Sequence, residues 1–129
     1  MARFVREVMT AGVAAVRPDA SLVEAAQLMR AQDIGDVLVA QGDHLIGVLT
    51  DRDITLRAVA DGVDPLTVNA QSVCTPSSVS VGPDDEVATA VALMRQHAVE
   101  RLAVIADGRP LGVVRIEDLR PGNSNRKVE

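Results

Sequence analysis

The feature that most constrains the fold is an internal repeat. Residues 8–54 align with residues 73–119 without a gap, and thirteen of the 47 aligned positions are identical. The most informative pair of segments is Gly47–Asp53 and Gly112–Asp118. Both begin with a glycine, continue with two apolar residues and end with an aspartate. Two copies are too few for a solenoid, so we expect them to pack face to face as one pseudo-symmetric module.

Each copy has the pattern of a strand, a helix, two strands and a second helix. In the first copy, Ser21–Glu24 predicts the capped start of a helix, and Val37–Ala40 with Leu45–Leu49 predicts a hairpin. Thr50 stands where the N-cap of the second helix belongs, and Asp53 falls in the first turn of that helix. Glycine at position 47 lets its own strand approach another backbone closely.

These patterns predict an α/β (α+β) fold made of two β-α-β-β-α repeats. The helix after Thr50 is expected to run to about Gly62, and the helix of the second copy is expected to open at Asp84–Glu86. The predicted boundaries are residues 5–62 for repeat 1, 63–72 for a linker, 73–119 for repeat 2 and 120–129 for a disordered tail.

Composition narrows the possible functions. Trp and Tyr are absent and Phe4 is the only aromatic residue, so the chain cannot build a stacking platform for nucleic acid bases. The formal charge of −5 also disfavours a polyanion as partner. Cys74 is the only cysteine, which excludes an intramolecular disulfide. Without an apolar run of membrane-spanning length or a visible signal segment, we predict a soluble cytoplasmic protein that does not associate with membranes.

The repeat resembles the cystathionine β-synthase (CBS) domain. The resemblance rests on the Val8-Met9-Thr10 entry and on the Thr50-Asp51-Arg52-Asp53-Ile54 motif, and it covers residues 5 to 119. Two such domains in tandem resemble a Bateman module of the free-standing bacterial type. The resemblance implies two clefts related by a pseudo-twofold axis, which commonly bind AMP, ATP or S-adenosylmethionine. It also implies a disc-like homodimer with a regulatory role, no catalysis and no resident cofactor.

Carried over residue by residue, the resemblance implies that the first cleft combines residues of both repeats. The Thr50 hydroxyl and the amides of the helix start would meet a phosphate or hydroxyl oxygen, and Asp53 would accept hydrogen bonds from the ribose hydroxyls. Arg101 matches the position that contacts phosphate. The predicted nucleotide-binding set is therefore Thr50, Asp53, Ser78, Val79, Val99 and Arg101.

The resemblance implies a weaker second cleft. Arg115 stands where the motif has threonine, and Asp36 stands where Arg101 lies in the other copy, so its charge would repel phosphate. Both copies also depart from the family in lacking its usual proline, which is replaced by Leu38 and Ala103. The predicted set of the second cleft is Val13, Ala14, Ile34, Gly35, Arg115 and Asp118.

Two functional hypotheses from different classes remain open. The first is a sensor whose adenosyl ligand shifts a dimer or partner equilibrium, and the intact Thr50–Asp53 motif with Arg101 favours it. The second is a ligand-free structural or interaction protein, and Asp36, Glu100 beside Arg101, and Arg115 favour it. We predict a homodimer with an unknown output protein. His44 and His97 lack neighbours at metal-ligand spacing, and no nucleophile stands beside a base, so neither a metal site nor an enzyme is expected.

Overall fold

The fold is described by a computed structural model covering residues 3–12, 14–76 and 79–119. In these ranges the strands are β1 Thr10–Ala11, β2 Ala15–Val16, β3 Asp36–Gln41, β4 His44–Thr50, β5 Thr75–Pro76, β6 Ser80–Val81, β7 Arg101–Ala106 and β8 Arg109–Arg115. The α-helices are α1 Leu22–Gln32, α2 Asp51–Ile54, α3 Ala70–Val73 and α4 Val87–His97. The 3₁₀ turns are Val5–Glu7 and Ile116–Leu119, and a π-helical turn spans Thr55–Val59. The predicted α/β class with two repeated units is confirmed.

The chain divides into two compact units. The first unit, residues 13–78, has one four-stranded sheet in the order β2-β3-β4-β5. The second unit joins the N-terminal segment up to Gly12 to the residues from Val79 onward, and its sheet has the order β1-β8-β7-β6. In each sheet the first pair of the repeat is parallel and the hairpin is antiparallel, so the two copies have the same local topology.

Each sheet is completed by the opening residues of the other sequence copy. β5, which begins the second copy, pairs with β4 of the first, while β1, which begins the first copy, pairs with β8 of the second. A Cβ atom at Gly47 would overlap the carbonyl oxygen of Thr75, and one at Gly112 would overlap that of Thr10. The close approach expected for the repeated glycine is thus confirmed, because only a residue without a side chain fits beside the added strand.

The two long helices begin and end as their sequences direct. Ser21 caps α1, since its hydroxyl accepts a hydrogen bond from the Glu24 amide at 3.0 Å. Helix α4 begins only at Val87, with Glu86 as its N-cap, so the acidic run predicted to open this helix lies just before it. Both helices end at a residue in the left-handed conformation, Asp33 or Ala98. Helix α1 buries Leu22, Ala25 and Met29 against the first sheet, and α4 buries Ala90 and Met94 against the second.

The second helix of each copy differs from the prediction. After four α-helical residues, the segment following Thr50 continues as the π-helical turn Thr55–Val59, and the corresponding segment after Arg115 is only the 3₁₀ turn Ile116–Leu119. The predicted linker contains the start of α3, which is capped by the Asn69 side chain. The predicted tail, residues 120–129, lies outside the described residues.

Candidate functional site

The first candidate site is the junction between β4 and α2. The Asp53 amide donates to the Thr50 hydroxyl at 3.0 Å, and the Thr50 amide donates to Asp53 Oδ2 at 3.0 Å. This reciprocal capping box fixes both side chains of the motif at the start of the helix. The Asp53 side chain is only 12% exposed. The N-cap predicted at Thr50 is confirmed, and the structure brings Thr50 and Asp53 together.

Two further residues contact the Asp53 carboxylate. Thr75 Oγ1 donates to Oδ2 at 3.5 Å, and Arg57 Nε lies 3.8 Å from Oδ1. Sequence reasoning did not assign either residue to the site. The signal for Arg57 was its position four residues after Asp53 on a predicted helix. The signal for Thr75 was its identity with Thr10 in the repeat, although only the exchange of strands puts Thr75 beside Asp53.

Cys74 lies at the edge of this junction. Burial of the thiol, together with the negative charge of Asp53, raises its pKa above the usual value of 9.0. The Sγ atom donates to the carbonyl of Gln71 at 3.4 Å. A thiol with a raised pKa is protonated at neutral pH and is a poor nucleophile, so Cys74 acts as a small buried side chain.

Four residues around the start of β3 lie in the same unit. Ala14 accepts a hydrogen bond from the Leu38 amide at 2.9 Å, and Gly35 accepts one from the Asp51 amide at 2.9 Å. Asp36 pairs with Thr50 in the sheet register and is buried. The half-buried side chain of Ile34 packs on the core of this unit. Val13, which was predicted for the second cleft together with Ala14, Ile34 and Gly35, lies outside the described residues.

The second candidate site is the junction between β8 and the 3₁₀ turn. Here Arg115 replaces the threonine of the motif, and its Nη1 donates to Thr10 Oγ1 at 2.6 Å. The same atom lies 3.8 Å from Asp118 Oδ2, and the two side chains are only 14% and 4% exposed. The guanidinium therefore contacts both strand β1 and Asp118. Asp118 forms an ion pair with the residue at the motif position, whereas Asp53 forms a capping box with the corresponding residue, Thr50.

Three further predicted residues of the first cleft, Val79, Val99 and Arg101, lie in this second unit. Val79 and Val99 are half-buried, and both pack on its core. Arg101 is half-buried and pairs with Arg115 in the register of β7 and β8. Ser78 lies outside the described residues. Each predicted cleft thus combines residues of both units, and the assembled clefts stay a prediction.

The described ranges also bear on two other kinds of feature, a metal site and a membrane-spanning helix. Residues 3–12, 14–76 and 79–119 contain no group of three His, Cys, Asp or Glu side chains that could hold a metal ion. The longest helices there, α1 and α4, have 11 residues each, and none of the described helices meets the length and apolarity needed to cross a bilayer.

Comparison with known proteins identifies the family. The CBS domain model matches residues 5–59 and again residues 70–121, so the chain belongs to the CBS domain family and carries two copies of the domain. Members of this family that consist only of CBS domains are regulatory modules, and the family often binds adenosine ligands.

Known proteins and solved structures similar to this chain include the following. Hypoxic response protein 1 of Mycobacterium tuberculosis is 36% identical over 115 residues, covering 88% of this chain and 80% of that protein. A crystal structure of Hypoxic Response Protein I with two coordinated zinc ions matches with a TM-score of 0.75 at 35% identity, covering 90% of this chain and 95% of that one. A hexameric CBS-CP12 protein from bloom-forming cyanobacteria matches with a TM-score of 0.81 at 25% identity, covering 92% and 71%.

Proposed function

We propose that this protein is a non-catalytic regulatory module that binds an adenine nucleotide or adenosyl ligand of the AMP, ATP or S-adenosylmethionine class. The ligand occupies the inter-repeat cleft predicted from Thr50, Asp53, Ser78, Val79, Val99 and Arg101. Binding acts through a dimer or through an output protein. The cytoplasmic location inferred from the sequence belongs to this proposal.

The observation that carries the proposal is the reciprocal cap between Thr50 and Asp53. It holds a carboxylate at the start of a helix, with Oδ2 engaged by the Thr50 amide and the Thr75 hydroxyl. A carboxylate has about four acceptor positions in all, so Oδ1 can accept the two hydroxyls of a ribose. Such hydrogen bonds to a charged acceptor are worth roughly 1.5–3 kcal/mol each.

A thermal-shift screen against AMP, ATP and S-adenosylmethionine tests the ligand class. A ligand present at a hundred times its Kd adds about 2.7 kcal/mol to the free energy of unfolding, which is readily visible as a raised Tm. Adenine alone and inorganic phosphate serve as controls for the two ends of the ligand. If none of the adenosyl ligands raises the Tm, the proposal is wrong.

A second candidate is a ligand-free interaction protein that keeps the fold and acts through its surface. Two observations favour it: the engagement of Asp118 by Arg115 at the second junction, and four exposed apolar side chains within residues 56–66, namely Leu56, Val59, Val63 and Leu66. Large exposed apolar side chains are a feature of surfaces that contact other proteins, and these four are close in sequence. The absence of any thermal shift, combined with stable self-association, would favour this candidate.

We also propose that the chain forms a homodimer. The four exposed apolar side chains and the short apolar helices provide surface to bury against a second copy. Multi-angle light scattering of the intact chain at micromolar concentration should give twice the monomer mass of 13.6 kDa. Replacing Val59 and Leu66 by Asp should lower that mass toward the monomer, and a monomeric parent chain would contradict the proposal.

A further inference from the structure

The two oxygens of the Asp53 carboxylate have different neighbours: one accepts hydrogen bonds, and the other lies near the Arg57 guanidinium. Oδ2 accepts from the Thr50 amide at 3.0 Å and from Thr75 Oγ1 at 3.5 Å. Arg57 Nε lies 3.8 Å from Oδ1, which is longer than a hydrogen bond. The guanidinium therefore brings a positive charge to Oδ1 without taking an acceptor position of that oxygen.

Arg57 is held in place from its other side. Its Nη1 donates to the carbonyl oxygen of Val73 at 3.2 Å and to that of Cys74 at 3.3 Å. These carbonyls lie at the C-terminal end of α3, where backbone carbonyls lack helical partners and favour a cation. Since the guanidinium is planar, two hydrogen bonds from Nη1 restrict the orientation of the whole group.

The π-helical turn contributes to this placement. The Ala60 amide donates to the carbonyl of Thr55 at 2.9 Å, five residues back, so the turn that contains Arg57 is wider than an α-helical one. Single π-helical turns are rare and often occur at functional sites. Here the turn places Arg57 between α3 and Asp53.

We propose that Arg57 is a positioning residue that fixes the orientation of the Asp53 carboxylate for a vicinal diol, so that it determines the preference for ribose over deoxyribose. The proposal rests on the proposed function, because it assigns a role to Arg57 in recognising the sugar of that same ligand. When Arg57 is removed, Oδ2 stays held by the Thr50 amide, but Oδ1 loses the neighbouring positive charge, itself anchored on α3, that draws it to one side.

The test compares the binding of AMP with that of 2′-deoxy-AMP by calorimetry. In the parent chain the missing hydroxyl should weaken binding about ten- to 150-fold, the range expected for one hydrogen bond to a charged acceptor. In Arg57→Gln this ratio should fall to about threefold or less, because the carboxylate is no longer held toward the diol, while Arg57→Lys should give an intermediate ratio. Arg52→Gln is the matched control, since it removes the same charge from an exposed position on the same helix, and it should keep the parent ratio.

Other outcomes would overturn the proposal. If Arg57→Gln weakens AMP and 2′-deoxy-AMP equally, Arg57 supports the fold without positioning Asp53 toward the sugar. If Arg57→Gln binds AMP more tightly, the guanidinium competes with the ligand for Oδ1. Either result leaves the proposed ligand class intact and refutes only the role of Arg57.

A double-mutant cycle tests the pair without ligand. Urea unfolding of the parent, Asp53→Asn, Arg57→Gln and the double variant should give a coupling of about two- to fivefold in the unfolding constant, as expected for a partly exposed ion pair. Coupling with no binding of AMP, ATP or S-adenosylmethionine would refute the proposed function and leave the contact between Arg57 and Asp53 established. An uncoupled pair would refute the positioning role whatever the ligand.

Discussion

The two strand-to-helix junctions have the same backbone plan and different side-chain chemistry. In both, a glycine lets a short strand from the other copy approach the sheet, and an aspartate follows six residues later. At the first junction Thr50 and Asp53 cap a helix for each other. At the second, Arg115 binds Thr10 and faces Asp118 in an ion pair.

One substitution in the repeat accounts for this difference. A threonine hydroxyl is short and accepts the amide of the helix, which leaves the aspartate beside it for a second partner. An arginine at the same position carries a charge that must be paired when it is largely buried, and the neighbouring aspartate supplies the counter-charge. The comparison teaches that the backbone of a duplicated module can be preserved while one copy loses the side-chain arrangement of the motif.

The largest expected effect is on the free energy of unfolding, and it tests the close approach of a strand to the glycine at each junction. Gly47→Ala and Gly112→Ala should each lower the free energy of unfolding by about 2–3 kcal/mol, since the new Cβ overlaps a strand carbonyl that cannot move without losing its pairing. Urea denaturation measures both. Gly82→Ala is the control, because its Cβ would meet only ordinary contacts at 3.7 Å or beyond, and it should change stability by less than about 0.5 kcal/mol. A tolerated Gly112→Ala would show that the second junction does not hold its strand as the first does.

The next effect distinguishes the junctions by ligand binding. Asp53→Ala should weaken an adenine nucleotide by at least the roughly ten- to 150-fold expected for one hydrogen bond, because it removes the charged acceptor of the ribose hydroxyls, whereas Asp118→Ala should change affinity little. Calorimetry should show one site per chain in the parent. Asp53→Asn keeps the size of the side chain and removes its charge, so it separates the loss of charge from the loss of the cap. Equal losses from Asp53→Ala and Asp118→Ala, or two equal sites in the parent, would contradict the proposed inequality.

A smaller effect is expected when the motif is restored at the second junction. Arg115→Thr removes the partner of Thr10 and Asp118 and should lower stability by about 1–2 kcal/mol. It should also allow the second cleft to bind adenosine, which has no phosphate for Asp36 to repel, so that calorimetry gives two sites for adenosine and still one for AMP. Arg109→Thr, at an exposed position of the same strand, is the control and should leave one site for both. If Arg115→Thr leaves a single site for adenosine, Arg115 is not the residue that prevents binding in the second cleft.

The smallest effect concerns the short helical turns that precede β1 and β5. The Glu7 carboxylate accepts the amides of Phe4 and Arg3 at 2.7 and 2.9 Å, and these hydrogen bonds lower its pKa below the usual 4.5. Its contribution to stability is therefore present above pH 4.5 and is lost as the pH falls through the lowered pKa. The corresponding turn, α3, is capped by the Asn69 side chain, whose Oδ1 accepts from the Ser72 amide and which does not titrate in this range.

Hydrogen exchange between pH 6 and pH 3 tests this difference between the turns. Protection of the Val5–Glu7 turn should decrease with acid, while protection of α3 should not change. Glu7→Gln should abolish the acid dependence of the first turn, and Asn69→Asp should introduce one at α3. Parallel loss of protection in both turns of the parent would point to general unfolding and against a role for Glu7.

Much of each junction could be predicted from the sequence because its determinants are local. Ser21 and Thr50 cap helices through amides three residues away, and the repeat predicted that one element order would occur twice. The π-helical turn was not predictable, because the residues 55–59 have an ordinary helical pattern and the contact of Arg57 with α3 comes from a segment sixteen residues further along the chain.

The sequence by itself therefore determined the repeat, its elements, the glycine positions and the inequality between Thr50 and Arg115, since these depend on residue type and short spacing. Only the tertiary structure decided which strand completes which sheet. That choice puts Thr75 beside Asp53 and Thr10 beside Arg115. The physical reason is that β5 and β1 are two-residue strands with little pattern of their own, so their partners are selected by a carbonyl that fits over a distant glycine.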